Sequence, residues 1–398
     1  MNANFENPFK PGAGHRPPYL AGRNDEKSEF KKLLSQRTIL ENAILTGLRG
    51  VGKTVLLEEF KPLALAEGWL WVGNDLSESA SLTEENMAIR IISDLSSLTS
   101  QIRIEKQSSK VGFSTPKFEG STVSYELLLS IFHQTPGLIS DKLKATLEFA
   151  WGFIAQLNKH GVVFVYDEAQ NLADHAPKDQ YPLSLLLDVF QSLQRKGVTF
   201  MLLLSGLPTL FPKLVDARTY AERMFKVIFL ERLKEKDSID AIKKPIADKR
   251  CPVVFEPGSI KVIVAHSGGY PYFIQFICKE VFDIFIQKIN ANQDADVAIE
   301  PILRKLDRDF FAGRWAKVTE RQRMLLTVIA ESQNGGAEFS VQEAAEASKS
   351  LDKGFSNSHI NQILNKLIDS GIIYKNRHGR YSFAVPLLDQ FIIRQKDN

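Results

Sequence analysis

The run Gly47-Leu48-Arg49-Gly50-Val51-Gly52-Lys53-Thr54 is a complete G-x-x-x-x-G-K-T loop, and it restricts the fold more than any other feature of the chain. It follows a strand-like Asn42-Ala43-Ile44-Leu45-Thr46 and precedes a helix-like Val55-Leu56-Leu57-Glu58-Glu59-Phe60. Strand, glycine-rich turn and helix in that order make a cradle for phosphate. The glycines let backbone N–H groups curl around phosphate oxygens, and the helix N-terminus adds partial positive charge. The spacing assigns the backbone of Gly47, Arg49, Gly50, Val51 and Gly52 to those oxygens, Lys53 to the β- and γ-phosphates of ATP, and the Thr54 hydroxyl to Mg²⁺. A plain glycine-rich turn shares these letters but not these flanks.

A chain of 398 residues exceeds one ordinary core, so several domains are expected. Its 50 basic and 47 acidic residues leave a net charge of only +3, which excludes a polycation; any nucleic-acid surface must be local. Cys251 and Cys278 form neither a disulfide framework nor a zinc set and read as buried small apolar residues in a reducing cytoplasm. Met1-Asn2-Ala3-Asn4-Phe5-Glu6 lacks the regions of a signal peptide, and no uncharged apolar run is long enough to span a bilayer. A cytoplasmic protein with no membrane partner is expected.

Residues 1–18 are rich in Pro and Gly and read as irregular, with structure beginning near Tyr19. Over 19–230, short apolar runs at 43–46, 70–73, 162–166, 200–204 and 226–229 alternate with helical segments, the pattern of a parallel sheet covered by helices. Pro62 is expected to kink or stop the helix after the phosphate loop within a turn. Between Gln101 and Ser124 a polar segment with Lys106, Lys110 and Lys117 reads as a long loop or small hairpin. Residues 231–312 turn helical, interrupted at Cys251-Pro252 and Gly268-Gly269-Tyr270-Pro271. In 313–398, Thr319-Glu320-Arg321-Gln322 and Ser340-Val341-Gln342-Glu343 have the form of capping boxes. A third helix of about 358–370 places Ile360, Ile363, Leu364, Leu367 and Ile368 on one face and stops at Gly371. Two strand-like runs then flank Lys375-Asn376-Arg377-His378-Gly379, a hairpin with a basic tip. Three helices and a hairpin make a winged helix-turn-helix. Residues 314–398 hold 12 Lys/Arg against 9 Asp/Glu, a surplus of 3 that equals the excess of the whole chain.

The apolar run Val162-Val163-Phe164-Val165-Tyr166 ends in Asp167 and Glu168. Downstream of a phosphate loop these acids suit the second nucleotide motif, with Asp167 in the Mg²⁺ shell and Glu168 polarising the attacking water. The run at 200–204 ends at Ser205, whose hydroxyl can bond that water or the γ-phosphate; a turn serine beside Gly206 reads equally well. Asn74 can hold Glu168 inactive until a partner binds, or be a turn Asn before Asp75. Arg223, just before the last strand, can reach a neighbouring subunit's nucleotide in a ring or filament, with Arg218 in reserve. In the winged helix, His359, Asn361, Gln362, Asn365 and Lys366 lie off the apolar face of the third helix, and Lys375, Arg377 and Arg380 crowd the wing. They are the candidates for double-stranded DNA, against a wing that packs on another domain.

Together these features resemble the AAA+ ATPases, most closely the origin-recognition and replication-initiator clade, over nearly the whole chain. The resemblance implies an α/β P-loop NTPase sheet, a helical lid and a C-terminal winged helix. It also implies ATP hydrolysis with Mg²⁺ and assembly as a homo-oligomer or with another protein. Tyr19-Leu20-Ala21-Gly22-Arg23 is similar to the segment that cradles adenine, which implicates Leu20. His266-Ser267-Gly268-Gly269-Tyr270-Pro271-Tyr272 occupies the place where the lid often carries a nucleotide-sensing arginine. It is closer to the Gly-x-Pro lid of the STAND signalling ATPases, whose proline packs near the nucleotide, which implicates Pro271. A STAND-like switch, its winged helix serving protein contacts, is the second reading. The expectation that the chain ends at Asn398 straight after the wing, without a repeat array, favours the first. A metabolic kinase, the third, lacks an evident acceptor domain.

Overall fold

The computed structural model describes residues 6–12, 14–103, 122–293, 297–332, 338–351, 354–377 and 379–396, without the side chains of Asn74, Asn376 and Arg377. Lys106, Lys110 and Lys117 lie outside the described residues. The chain forms two compact units, one of Asn24–Gly47 and Leu56–Phe229, the other of Met1–Arg23, Leu48–Val55 and Leu230–Asn398.

The first unit is built on a five-stranded sheet. Its strands are β1 (Asn42–Gly47), β2 (Trp69–Asp75), β3 (Gly161–Asp167), β4 (Phe200–Gly206) and β5 (Phe225–Leu230), in the order β2-β3-β4-β1-β5. The pairs β1–β4, β3–β4 and β2–β3 are parallel. All five expected strands form, each longer than its apolar run. Strands β1, β3 and β4 are buried along their whole length, so they read as continuous apolar runs with no alternation. The helices Glu84–Thr99, Tyr125–Gln134, Ile139–Ile154 and Pro182–Arg195 share one core with them.

The helix Lys53–Ala66 runs through Pro62 and ends one turn beyond it. Pro62 removes one backbone hydrogen bond, but Leu56, Leu57, Phe60 and Ala64 are buried, and their packing outweighs that loss.

At the N-terminal ends of the central strands a buried polar knot replaces apolar packing. Asn42 Oδ1 accepts from Gln194 Nε2 (2.9 Å) and from the Leu202 N–H (2.8 Å), while Gln194 Nε2 also donates to Phe200 O at 2.7 Å. Asn42 is 1% exposed. Its removal strands a buried amide and a strand N–H.

In the second unit the helices Glu235–Lys243, Pro257–Ser267, Pro271–Asn290 and Ile299–Leu306 share a single apolar core with the winged helix. The winged helix comprises the helices Glu320–Ser332, Val341–Ser348 and Asn357–Asp369 and the antiparallel hairpin of β6 (Ile373–Arg377) and β7 (Arg380–Phe383). Ser340 and Glu343 close a complete capping box, and Gln322 Oε1 accepts from the Thr319 N–H at 2.8 Å. Two expectations need correction. A further helix, Leu388–Lys396, follows the wing; Phe391 stacks on Phe311, and Arg394 pairs bidentately with Asp307. Order also begins well before Tyr19. Residues 6–12 carry no helix or strand, yet Phe9 is 2% exposed between Phe255 and Phe282, and Asn7 Nδ2 donates to Lys279 O and Asp283 Oδ1. A Pro/Gly segment has no element of its own but still buries an aromatic ring.

Asn42→Ala is expected to destabilise the protein by about 2–3 kcal/mol, because partners left unpaired in a dry core keep their desolvation cost. Urea unfolding followed by far-UV circular dichroism checks this. A midpoint equal to wild type would mean that the knot is dispensable.

Candidate nucleotide site

In the first unit Asp167 ends β3 and its partner Ser205 lies on β4. The register pairs Tyr166 with Leu204, so the next residues, Asp167 and Ser205, are level across the two strands. Ser205 Oγ donates to Asp167 Oδ1 at 2.6 Å, and the Glu168 N–H donates to the same oxygen at 2.9 Å. Ser205 is fully buried and Asp167 is 5% exposed. Each satisfies the other, as buried polar groups must. The chain leaves β3 through Glu168 in the left-handed region, φ 52°, and its carboxylate is exposed beside the turn Ala169–Asn171.

One partner of Glu168, Gln170, was missed in the sequence. Gln170 Nε2 donates to Glu168 Oε2, Gln170 Oε1 accepts from the Leu207 N–H at 3.1 Å, and Lys213 Nζ donates to Gln170 O at 2.7 Å. A Cβ on Gly206 would lie 2.7 Å from Gln170 Oε1, so the glycine is what admits the amide. Asn74 pairs through its backbone with Tyr166 on β3, and its side chain lies outside the described residues.

In the second unit the phosphate loop is held from several sides. Gly50 and Gly52 take φ of +77° and +93°, a curl that L side chains resist. Lys53 Nζ donates to Leu48 O at 3.1 Å. Buried Arg23 donates through Nη2 to Val51 O and Glu231 O, both at 2.9 Å, and the Tyr272 N–H donates to Gly50 O at 3.1 Å. Pro271 opens the helix that presents Tyr272, and Leu20 lies half-buried three residues before Arg23. Thr54 is exposed. Arg23 and Tyr272 escape sequence reading because nothing local marks a buried arginine or one particular tyrosine N–H.

The Tyr272 ring packs on Phe310 at 5.1 Å, and the Arg314 guanidinium lies over Phe310 at 4.5 Å. Burial and the nearby Arg49 push the Arg314 guanidinium down from its ordinary value. An arginine therefore does stand close to Arg49 of the phosphate loop, on the short helix Ala312–Trp315. Both cysteines are free, and burial pushes both thiols up.

The two arginine candidates differ. Arg218 is bidentate to Asp188, which also accepts from the Tyr220 hydroxyl. Arg223, on the short helix Ala221–Met224, is exposed and has no side-chain partner among the described residues. In the winged helix, Asn361, Gln362, Asn365 and Lys366 line the exposed face of Asn357–Asp369, and Lys375 is exposed on the wing. Arg380 is committed to Glu343, with Nη1 at 2.9 and 2.7 Å from its two carboxylate oxygens. The Arg377 side chain lies outside the described residues.

Among the described residues no helix is long and apolar enough to cross a membrane, and no group of three or more His, Cys, Asp or Glu could hold a metal. Thr54 in the second unit offers a hydroxyl and Asp167 in the first a carboxylate, each an oxygen donor of the kind Mg²⁺ takes.

Residues 308–392 match a family model described as a domain of unknown function (DUF8462). No curated protein matches the chain. Among solved structures it is similar to the Walker-type ATPase of Pyrococcus abyssi, with TM-score 0.59 and 15% identity over 99% of this chain and 100% of that one. It is also similar to the Aeropyrum pernix ORC2 protein. The ADP form gives TM-score 0.55 at 15% identity, and the ADPNP-ADP complexes 0.52 at 14%, each over 98% of both chains. At such identity the shared property is the fold, and along nearly its whole length this chain has the α/β fold of that Walker-type ATPase and of the ORC2 protein.

Proposed function

We propose that the chain is an AAA+ ATPase of the origin-recognition and replication-initiator type. In this reading it binds ATP with Mg²⁺ and hydrolyses it slowly, and its nucleotide state governs self-assembly and the engagement of double-stranded DNA by the winged helix. What supports this most is the coupled end of β3 and β4, where Asp167, Ser205 and Glu168 are organised by strand register on a fold shared with a Walker-type ATPase. Thr54 and Asp167 would hold Mg²⁺, which neutralises charge developing on the phosphates. Lys53 and the backbone N–H groups of the loop bind the β- and γ-phosphates and stabilise the charge that builds on their oxygens as the bridging bond breaks. Glu168 takes a proton from water as the water oxygen bonds to the γ-phosphorus. The bond from that phosphorus to the bridging oxygen breaks, and ADP leaves with the electron pair.

Lys53→Ala is expected to abolish tight binding of a fluorescent ATP analogue, whereas Glu168→Gln should bind normally and lose turnover by roughly a hundredfold or more, as general bases contribute. Turnover at the wild-type rate in Glu168→Gln would refute the assignment.

Arg223 is the better trans finger, since among the described residues its guanidinium has no side-chain partner, while Arg218 is clamped by Asp188. Arg223→Ala and Lys53→Ala proteins should each be inactive alone and regain part of the turnover when mixed, at junctions joining an intact finger to an intact site. Specific activity that does not change with concentration in a monomeric sample would rule the finger out.

The exposed amides and Lys366 of Asn357–Asp369 and the Lys375 wing favour phosphate-dominated DNA contact. A second reading, the STAND-like switch, draws on the single core that the lid and winged helix share. A mobility-shift salt series decides between them. Lys375→Ala/Arg377→Ala/Arg380→Ala should lower the salt slope by about two, at roughly one unit per phosphate contact, with Arg380 held by Glu343. Equal affinity and slope in wild type and variant would leave the wing with a protein role.

A further inference from the structure

The carboxylate proposed as the base is exposed, stands on a residue with φ 52°, and has two freely rotating side-chain bonds before its terminal torsion. Such a group is poorly fixed by its own backbone. The amide that reaches it is the opposite. Gln170 is anchored at three points: its Nε2 on Glu168, its Oε1 under the Leu207 N–H at 3.1 Å, and its main-chain oxygen under Lys213 Nζ at 2.7 Å. Gly206 leaves the space that its side-chain oxygen fills. Lys213 is half-buried on the helix Leu210–Ala217, and burial pushes its ammonium down from its ordinary value; an ammonium held there needs an acceptor, which the Gln170 carbonyl supplies.

We propose that Gln170 is a positioning residue for Glu168, and that Lys213 and the Leu207 N–H fix Gln170 so that it can act as one. The inference rests on the ATPase reading above. The Gln170 amide donates to one carboxylate oxygen and leaves the other for water. Because the amide is braced by the chain beyond β4, the carboxylate is oriented before substrate arrives, and no ordering remains to be done in the transition state.

Gln170→Glu keeps the shape and the acceptor for Leu207 but loses the donor; Gln170→Met loses donor and acceptor without adding charge. Both are expected to lower kcat by about 10- to 100-fold, as misplacement of a reacting group does, while ATP affinity measured with a fluorescent analogue stays within about twofold. Lys213→Ala should reproduce a weaker form of the same split. In a Glu168→Gln background the Gln170 substitutions should cost no further activity, since residues acting as a unit are non-additive. Where Gln170→Met fails to fold, Gln170→Glu decides alone. Wild-type kcat in Gln170→Glu, or an equal loss in the Glu168→Gln background, would overturn the inference while leaving the ATPase reading intact. Absence of any ATP turnover in the wild-type protein would remove both.

Discussion

A single hydrogen bond, from the Ser205 hydroxyl to the Asp167 carboxylate, depends on β4 lying between β1 and β3. Strand order therefore matters more than strand count. Because parallel strands need crossovers, the chain must leave β3, cover one face of the sheet with Pro182–Arg195, and return beside β3 before it can supply that hydroxyl. The two buried groups satisfy each other, so neither can be replaced by an apolar residue without stranding its partner. Beyond this bond the chain leaves β3 through Glu168 in the left-handed region.

Much of this was legible in the letters, for a physical reason. A buried parallel strand is a continuous apolar run, and the runs beginning near Ala43, Leu70, Val162, Phe200 and Lys226 all became strands. Capping boxes and an apolar helix face are local signals, and they located the helices of the winged domain. Interactions that join distant segments were not legible. Phe9 is placed by Phe255 and Phe282, and Arg23 by the carbonyls of Val51 and Glu231, hundreds of residues away in the longest cases. The helix Leu388–Lys396 was overlooked because its short apolar set follows directly on a hairpin and lacks a capping box.

The partner of Glu168 shows the same limit at short range. Asn74 is level with Tyr166 on the neighbouring strand, with its side chain outside the described residues. Gln170 is only two residues from Glu168, and no spacing rule predicts that contact. It arises because Glu168 adopts a left-handed conformation and starts a tight turn, so the side chains of residues 168 and 170 emerge on the same side. Backbone torsion decided what sequence distance could not.

In the second unit the helix Pro271–Asn290 carries no arginine. Tyr272 meets the loop through its N–H on Gly50 O, and its ring packs on Phe310, over which Arg314 lies. Phe310 in turn packs edge-on against Phe311, which stacks on Phe391 of the last helix. An aromatic series thus runs from the phosphate loop into the core shared with the winged helix. Close-packed rings cannot absorb a shift at one end by compressing, because interiors are as dense as organic crystals. A displacement of the Gly50 carbonyl must therefore either break its bond to Tyr272 or move the rings behind it. The loop is thus tied through its own backbone to the helix Pro271–Asn290, and through the rings behind Tyr272 to the segment leading into the winged helix.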